Sequence, residues 1–408
     1  MSSTAGVVIV GAGQAGYQTA ESLRHEGYHG SVILIGDEPH IPYQRPPLSK
    51  DYLLGETDAE RIRFRNWAYY DEHSIDLRLR TKVSAIDRGR REVELADGST
   101  ITYEHLVLAT GARVRTLDVP GADLDGVFLL RTLDDVDRID SALEAAEKVV
   151  VIGAGFIGLE FAAVARKLGR SVTVLEAAPR VMGRIVSPRL SGFFEQLHRG
   201  HGVELVCQAA VSSMTGRGGQ IQSVECADDS SYEADLVVIG VGIIPNTELA
   251  EACGLPCSDG IVVDAYCRTA DPNVYAAGDC AVYDHPFAGH PIRLESVQNA
   301  ADQGRTVAAS ITGREKAYDT VPWFWSDQYD VKLQMVGLQT GCDETVARGD
   351  TTQAKFSLFH FRDGVLRAVD SVNRPADHVQ SRKLLAARSS PTPAQAADPD
   401  FKLKELLT

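Results

Sequence analysis

The chain has 408 residues, 44% of them hydrophobic and 24% charged, with a formal net charge of −15 at pH 7. That length calls for two or three domains rather than one core, and the composition is that of a soluble globular protein. No apolar run reaches the ~18 residues of a membrane span, the start lacks the basic and apolar regions of a signal peptide, and the acidic balance excludes general nucleic-acid binding, so a cytoplasmic protein with neither membrane nor nucleic-acid partners is expected.

The first predicted element is a strand over Val7–Val10, which runs into the turn GAGQAG. A helix over about Ala15–His25 follows, stops at Gly27, and hands over to a strand over Ser31–Gly36. This is a βαβ crossover, which implies parallel strands in a doubly wound sheet. KVSAID and EVELAD then read as a β-meander, and LVLATGA as a further apolar strand ending in glycine. The whole pattern recurs. A strand over Val149–Ile152, the turn GAGFIG, a helix over about Phe156–Leu168, a stop at Gly169 and a strand over Ser171–Glu176 lead into AVSSMT, QIQSVECAD and LVVIGVG. Gly11, Gly13 and Gly16 return as Gly153, Gly155 and Gly158, each displaced by the same interval. Two copies of one architecture in series are stronger evidence than either glycine motif alone.

The strand expected to complete the first sheet does not arrive until VYAAGDCA, at 274–281. The simplest arrangement inserts the second domain into the first. Residues 1–113 and 243–323 then form one dinucleotide-binding domain and residues 114–242 the other. From about Trp323 the pattern changes to short antiparallel strands (KLQMVGL, FSLFHF, VLRAVDSV) and a helix around Ala376–Ala387, so 324–408 is expected to be an α+β domain. The stretch SSPTPAQAADPD reads as a surface linker.

Each glycine turn follows a strand, opens a helix and is followed by an acid at the end of the next strand. Asp37 follows Gly16, and Glu176 follows Gly158, at close to the spacing that dinucleotide-binding units use for their ribose-binding acid. The glycines let backbone approach a pyrophosphate at a helix N-terminus, and the acid accepts from a ribose hydroxyl pair. Two dinucleotides in one chain imply a flavin and a nicotinamide that meet at a shared cleft. The seven cysteines are scattered, with no C-x-x-C and no zinc spacing, so no metal site is expected. Cys253 and Cys257 fall in CGLPC, between a helix and a strand.

IPYQRPPLSK (41–50), LVLATGAR (106–113), GVGIIPN (240–246), VYAAGDCA (274–281), ESVQNA (295–300) and WFWSDQ (323–328) complete the pattern. With these motifs the chain resembles, over nearly its whole length, the FAD-dependent, NADH-linked ferredoxin reductases of bacterial cytochrome P450 and ring-hydroxylating oxygenase systems. This putidaredoxin reductase-like family is related to apoptosis-inducing factor. The resemblance implies an α/β, glutathione reductase-like fold of two Rossmann-like domains plus a C-terminal α+β domain. It places non-covalent FAD on Gly11, Gly13, Gly16 and Asp37, with Arg45, Lys50, Arg131, Asp279 and Val297 around the flavin. It places NADH on Gly153, Gly155, Gly158, Glu160, Glu176 and Gly242. Lys50 and Glu160 are implied to pair beside the flavin N5, with Glu160 also meeting the nicotinamide carboxamide, and Trp325 to close one side of the site. Glu176 favours NADH, whereas Arg180, just beyond it, would tolerate the extra phosphate of NADPH.

Disulfide reductases of this architecture carry a cysteine pair near residues 40–60, and HIPYQRPPLSKDYLLGE has none. Electrons are therefore expected to leave the flavin singly for a [2Fe-2S] ferredoxin, and through it to reach a P450 or oxygenase. Two alternatives stay open. One is an NADH-linked flavoenzyme reducing oxygen, a quinone or an ascorbate radical. The other is a redox-sensing binding protein like apoptosis-inducing factor. A monomer or weak dimer is expected. Ferredoxins are usually acidic, so Arg61, Arg63 and Arg65, or Arg382 with Lys383, are the candidate docking cations.

Overall fold

The computed structural model describes residues 5–407. The strand Ala5–Val10 has Val7, Val8 and Ile9 fully buried, and alternate residues feed two different cores, as expected of a parallel strand covered on both faces. It lies between Val32–Ile35 and Thr100–Leu108, parallel to both, with Val7 opposite Val32 and His105. Ile75–Arg78 extends one side, and Val274–Ala276 pairs parallel with the far end of Thr100–Leu108, Val274 opposite Leu106. The near end of that long strand carries the antiparallel pair Glu92–Leu95 and Val83–Asp87.

The second sheet repeats the first. Its parallel order is Glu204–Cys207, Ser171–Glu176, Lys148–Ile152, Leu236–Ile239, Val127–Leu129. The outermost strand comes from opposite directions in the two sheets: Val274–Ala276 follows the second unit in sequence, and Val127–Leu129 precedes it. A meander of Val211–Arg217, Gln220–Cys226 and Ser231–Glu233 forms its own antiparallel sheet. The chain leaves the first unit through Ala112–Val114 and returns through Ile243–Pro245, and these two short strands pair antiparallel with each other.

The C-terminal sheet is antiparallel throughout, in the order Trp323–Gln328, Val331–Gly337, Val365–Val372, Lys355–Arg362, Glu344–Asp350. The helix Pro375–Ala386 packs on it. The stretch expected to be a surface linker is instead built into this unit. Thr392 and Gln395 form a capping box that starts the helix Pro393–Ala397, with Pro393 at its first turn. Ala396 is fully buried, and the guanidinium of the buried Arg348 donates to the carbonyls of Asp398, Pro399 and Phe401. Proline and alanine mark a helix start here rather than a loop, and one arginine gathers carbonyls that would otherwise need water.

Candidate active site

The two glycine turns are alike in detail. Gly11 and Gly153 sit at φ +111° and +102°, and a Cβ on either would strike a backbone carbonyl of the neighbouring strand's end, Ala109 or Gly240. A Cβ on Gly16 or Gly158 would collide with the carbonyl of Gly11 or Gly153, so the third glycine lets the helix pack on the turn. Gly13 and Gly155 differ from both: a Cβ there meets nothing within 4 Å. They are the N-caps of Gln14–His25 and Phe156–Lys167, neither helix start has a side-chain cap, and neither has an acid in its first turn. Each turn is thus an open, uncapped helix N-terminus with its amide groups and dipole available to an anion. That is the cradle a dinucleotide pyrophosphate fills.

Between the turns lies a buried ion pair. Pro46–Ser49 forms a short 3-10 turn, started by two prolines, and presents Ser49 and then Lys50. Lys50 Nζ lies 3.0 Å from Glu160 Oε1, which comes from the second dinucleotide helix. The Ser49 hydroxyl donates to Glu160 Oε2 at 2.7 Å, and the Ser326 hydroxyl, from the C-terminal sheet, donates to Oε1 at 2.6 Å. Glu160 is only 3% exposed. Burial pushes its carboxyl above the ordinary range, and Lys50, Ser326 and Ser49 pull it back. Both carboxylate oxygens are committed to these three partners, each from a segment outside the glutamate's own helix. The sequence reading paired Lys50 with Glu160 and missed both serines. Their signal was present, since Ser49 and Ser326 lie inside the RPPLSK and WSDQ stretches.

The other expected flavin residues gather on one side. Arg131 donates to Asp279 at 3.0 Å, and Arg45 donates to the Arg131 carbonyl at 2.7 Å while pairing with Glu38. Arg45 is therefore built into a local cluster rather than held as a free cation. Val297 opens the helix Val297–Ile311, and the Ser296 hydroxyl accepts from the Asn299 N–H at 3.1 Å. On that helix Asn299 Oδ1 and Gln303 Nε2 are buried without a hydrogen-bond partner among the described residues, and Gln303 Oε1 accepts from the Gly278 N–H next to Asp279. Asp37 lies in the bend just past the strand Val32–Ile35 and is exposed.

At the second turn, Glu176 accepts from the N–H groups of Ala154 and Ala178, at 2.7 and 2.8 Å, which fixes it against the glycines. Arg180 spends its guanidinium on the carbonyls of Val186 and Gly183. Gly242 has φ +110°, and a Cβ there would lie 3.4 Å from the guanidinium of Arg184, an exposed residue that sequence reasoning did not single out.

The strand Trp323–Gln328 has two faces. Phe324 packs on Phe156 at the start of the second dinucleotide helix, and Ser326 reaches Glu160. Trp323 and Trp325 share the opposite face, 5.5 Å apart, with the Arg382 guanidinium 4.7 Å over the Trp323 ring. The Trp323 backbone N–H donates to Gln298 Oε1, which ties this strand to the Val297–Ile311 helix. Of the two cationic clusters, Arg61, Arg63 and Arg65 pair locally with Asp58, Glu60 and Glu21. Arg382 and Lys383 are exposed on the Pro375–Ala386 helix and form no ion pair among the described residues.

Two doubly wound sheets with matching open turns, joined at a buried lysine–glutamate pair, define a two-dinucleotide oxidoreductase. The chain belongs to the pyridine nucleotide-disulphide oxidoreductase family, which matches residues 5–304, and residues 323–407 match the reductase C-terminal family. It is 49% identical to rhodocoxin reductase of Rhodococcus erythropolis, over 98% of this chain and 93% of that protein. Among solved structures it is similar to the ferredoxin reductase for the CYP199A2 system from Rhodopseudomonas palustris, with 48% identity, a TM-score of 0.96, and 98% and 99% of the two chains covered. It is equally similar in shape to putidaredoxin reductase in its covalent complex with putidaredoxin, with 41% identity, a TM-score of 0.97, and 99% and 98% covered. The family name refers to disulfide chemistry, yet all seven cysteines of this chain are free and none lies near Lys50 in sequence.

Proposed function

We propose that this protein takes hydride from NADH onto a non-covalent FAD and delivers electrons singly to a [2Fe-2S] ferredoxin that serves a cytochrome P450 or ring-hydroxylating oxygenase. The observation that carries this reading is the Lys50–Glu160 pair, assembled between two open dinucleotide turns in a chain with no disulfide. FAD, when bound, supplies the conversion of a two-electron hydride into two one-electron steps. The chain's own residues do the rest. Gly11, Gly13 and Gly16, with Asp37, would hold the FAD pyrophosphate and adenosine ribose, and Gly153, Gly155, Gly158 and Glu176 would hold NADH. Arg45, Arg131 and Asp279 would line the flavin end, and Gly242 the nicotinamide end. Glu160 keeps the Lys50 ammonium fixed and desolvated, so its charge favours negative charge nearby more than it would in water. The N-terminus at Val297 adds a dipole of the same sign.

Trp325, Trp323 and the cations Arg382 and Lys383 are proposed as the face that meets ferredoxin. Redox partners form small, transient interfaces that depend on charge steering. The division into residues 1–113 with 243–323, 114–242, and 324–408 belongs to this reading. It is supported by the late arrival of Val274–Ala276 in the first sheet and by the pairing of the two crossing strands. A cytoplasmic location is also part of it, supported by seven free cysteines, since such thiols persist in a reducing compartment; no helix among the described residues is long and apolar enough to cross a membrane.

Stopped-flow spectroscopy tests the proposal. The wild-type flavin is expected to be reduced rapidly by NADH and reoxidised faster by a ferredoxin than by air. Glu160→Ala is expected to retain FAD and to slow reduction by about 100-fold. Reoxidation by air as fast as by any ferredoxin would favour a small acceptor, and an unaltered reduction rate in the variant would remove Glu160 from the mechanism.

A further inference from the structure

The hydrogen bonds around Glu160 continue past Ser326. Its hydroxyl accepts from Gln328 Nε2 at 3.2 Å, and Gln328 Oε1 lies 2.9 Å from His198 Nε2. The Tyr329 hydroxyl lies 3.4 Å from His198 Nδ1, and the ring of His201 stacks on Tyr329 with centroids 3.7 Å apart. Ser326, Gln328 and His198 are all essentially inaccessible to water. His198 comes from the helix Pro188–Gly200 of the second dinucleotide unit, Gln328 and Ser326 from the C-terminal sheet, and Lys50 from the first unit. One row of side chains therefore joins three parts of the chain and ends on the carboxylate beside Lys50.

The row has a direction. A serine hydroxyl has one proton, and here it goes to Glu160, so the serine oxygen is left as an acceptor for the Gln328 amide. That oxygen takes the Gln328 amide N–H, which turns Gln328 Oε1 toward His198 Nε2, an arrangement satisfied when the ring carries its proton on Nε2. Burial holds the His198 imidazole down at about 4, so the ring is neutral near pH 7. The titratable groups facing His198 are His201 on its own helix and Tyr329 beyond the strand; the charged group facing Glu160 is Lys50. Every donor in the row thus points toward Glu160, and hydrogen bonds aligned this way polarise one another in a low-dielectric interior. An amide does not pass protons along, so the row orients and does not conduct.

We propose that Gln328 and His198 are positioning residues for the electron-transfer site: they lock Ser326 as a donor to Glu160 and so keep the carboxylate aimed at Lys50. The inference rests on the role given to Glu160 above. It is tested on the FAD-loaded protein with Ser326→Ala, with Gln328→Met (which keeps length and removes both polar ends), and with the two combined. Two quantities are followed against pH: the rate of flavin reduction by NADH and the flavin midpoint potential. Each single variant is expected to move the acid limb of the rate profile upward by about one pH unit, because a carboxylate that loses a donor binds its proton more tightly. The break in the potential–pH line moves with it. The double variant is expected to move no further than Ser326→Ala alone, since Gln328 acts through Ser326. If Gln328→Met does not retain FAD, Gln328→Asn, one methylene short of both partners, is expected to give the same shift. An unmoved limb and break in a Gln328 variant that holds FAD, or shifts that add in the double variant, would overturn the inference alone. Full-speed reduction in Glu160→Ala would overturn the reading of Glu160 and the inference with it.

Discussion

A carboxylate as buried as Glu160 stays charged only if its surroundings replace the water it has lost. Lys50 alone gives one contact at 3.0 Å, and the two serines complete the set. Removing such a partner from a buried pair strands the other charge, so substitutions here act on rate and stability together. Donor choice is expected to rest on Glu176, a short way along the chain. Both oxygens of Glu176 are held by backbone N–H groups, so its negative charge is fixed at the mouth of the second turn. Arg180, which in sequence looked able to welcome a phosphate, is occupied by two carbonyls of its own loop. NADH is therefore expected to exceed NADPH in kcat/KM by about tenfold or more, because a 2′-phosphate would meet an uncompensated carboxylate. Equal use of the two donors in steady-state assays would contradict this.

The two strand–turn–helix elements have the same shape but different expected cargoes, and the middle glycine of each separates them. A Cβ at Gly13 or Gly155 meets no protein atom within 4 Å, so the fold is expected to accept a small side chain there and the pyrophosphate is not. Gly13→Val is expected to purify with most of its FAD lost. Gly155→Val is expected to keep its flavin and raise the KM for NADH about tenfold or more, which flavin absorbance and initial rates would read directly. The opposite pattern would exchange the two assignments. These elements were legible in the sequence because strand, turn and helix each leave a local signature, and a repeat at fixed offset doubles it. His198 left none, and although Ser326 and Gln328 lie inside the WSDQ stretch, their meeting with Glu160 spans distant parts of the sequence and no periodicity encodes a meeting of that kind. The misread stretch at 389–400 failed for a different reason. Its turn-forming composition was weighed without the Thr392–Gln395 capping box, and the carbonyl-gathering Arg348 sits on a strand elsewhere.

At the scale of the whole molecule, a net charge of −15 would repel an acidic ferredoxin unless the docking face departs from the average. Arg382, over the Trp323 ring, and its neighbour Lys383, both exposed and without carboxylate partners among the described residues, are the proposed departure. The KM for ferredoxin is expected to rise with salt, since screening acts beyond roughly 8–10 Å at physiological ionic strength, while flavin reduction by NADH changes much less. Arg382→Glu with Lys383→Glu is expected to weaken ferredoxin turnover alone. A salt-indifferent KM would mean that charge does not recruit the partner. Acid should also affect the fold as a whole. Burial drives His198, His285 and His378 each down to about 4, well below the 6.5 of an exposed imidazole. Between those values the unfolded chain binds protons that the native chain refuses, so this contribution to stability is complete above pH 6.5 and falls as pH drops toward 4. Thermal midpoints measured across that window should fall on acidification, with up to three protons taken up on unfolding; a flat profile would show that these rings are not held neutral.

The pairing of Val274 with Leu106 sets a schedule for biosynthesis. After Leu106 the ribosome must make the entire second unit before the partner that completes the first sheet exists. At the usual pace of synthesis that is a wait on the order of ten to thirty seconds. The second unit has all five of its parallel strands between Val127 and Ile239, so its sheet can close during the wait. Of the two dinucleotide units, the one begun first is thus the one that finishes last. Until it does, the Thr100–Leu108 strand keeps an open edge of the kind that chaperones shield and that pairs wrongly when crowded. The nascent chain is most vulnerable while its first sheet is one strand short.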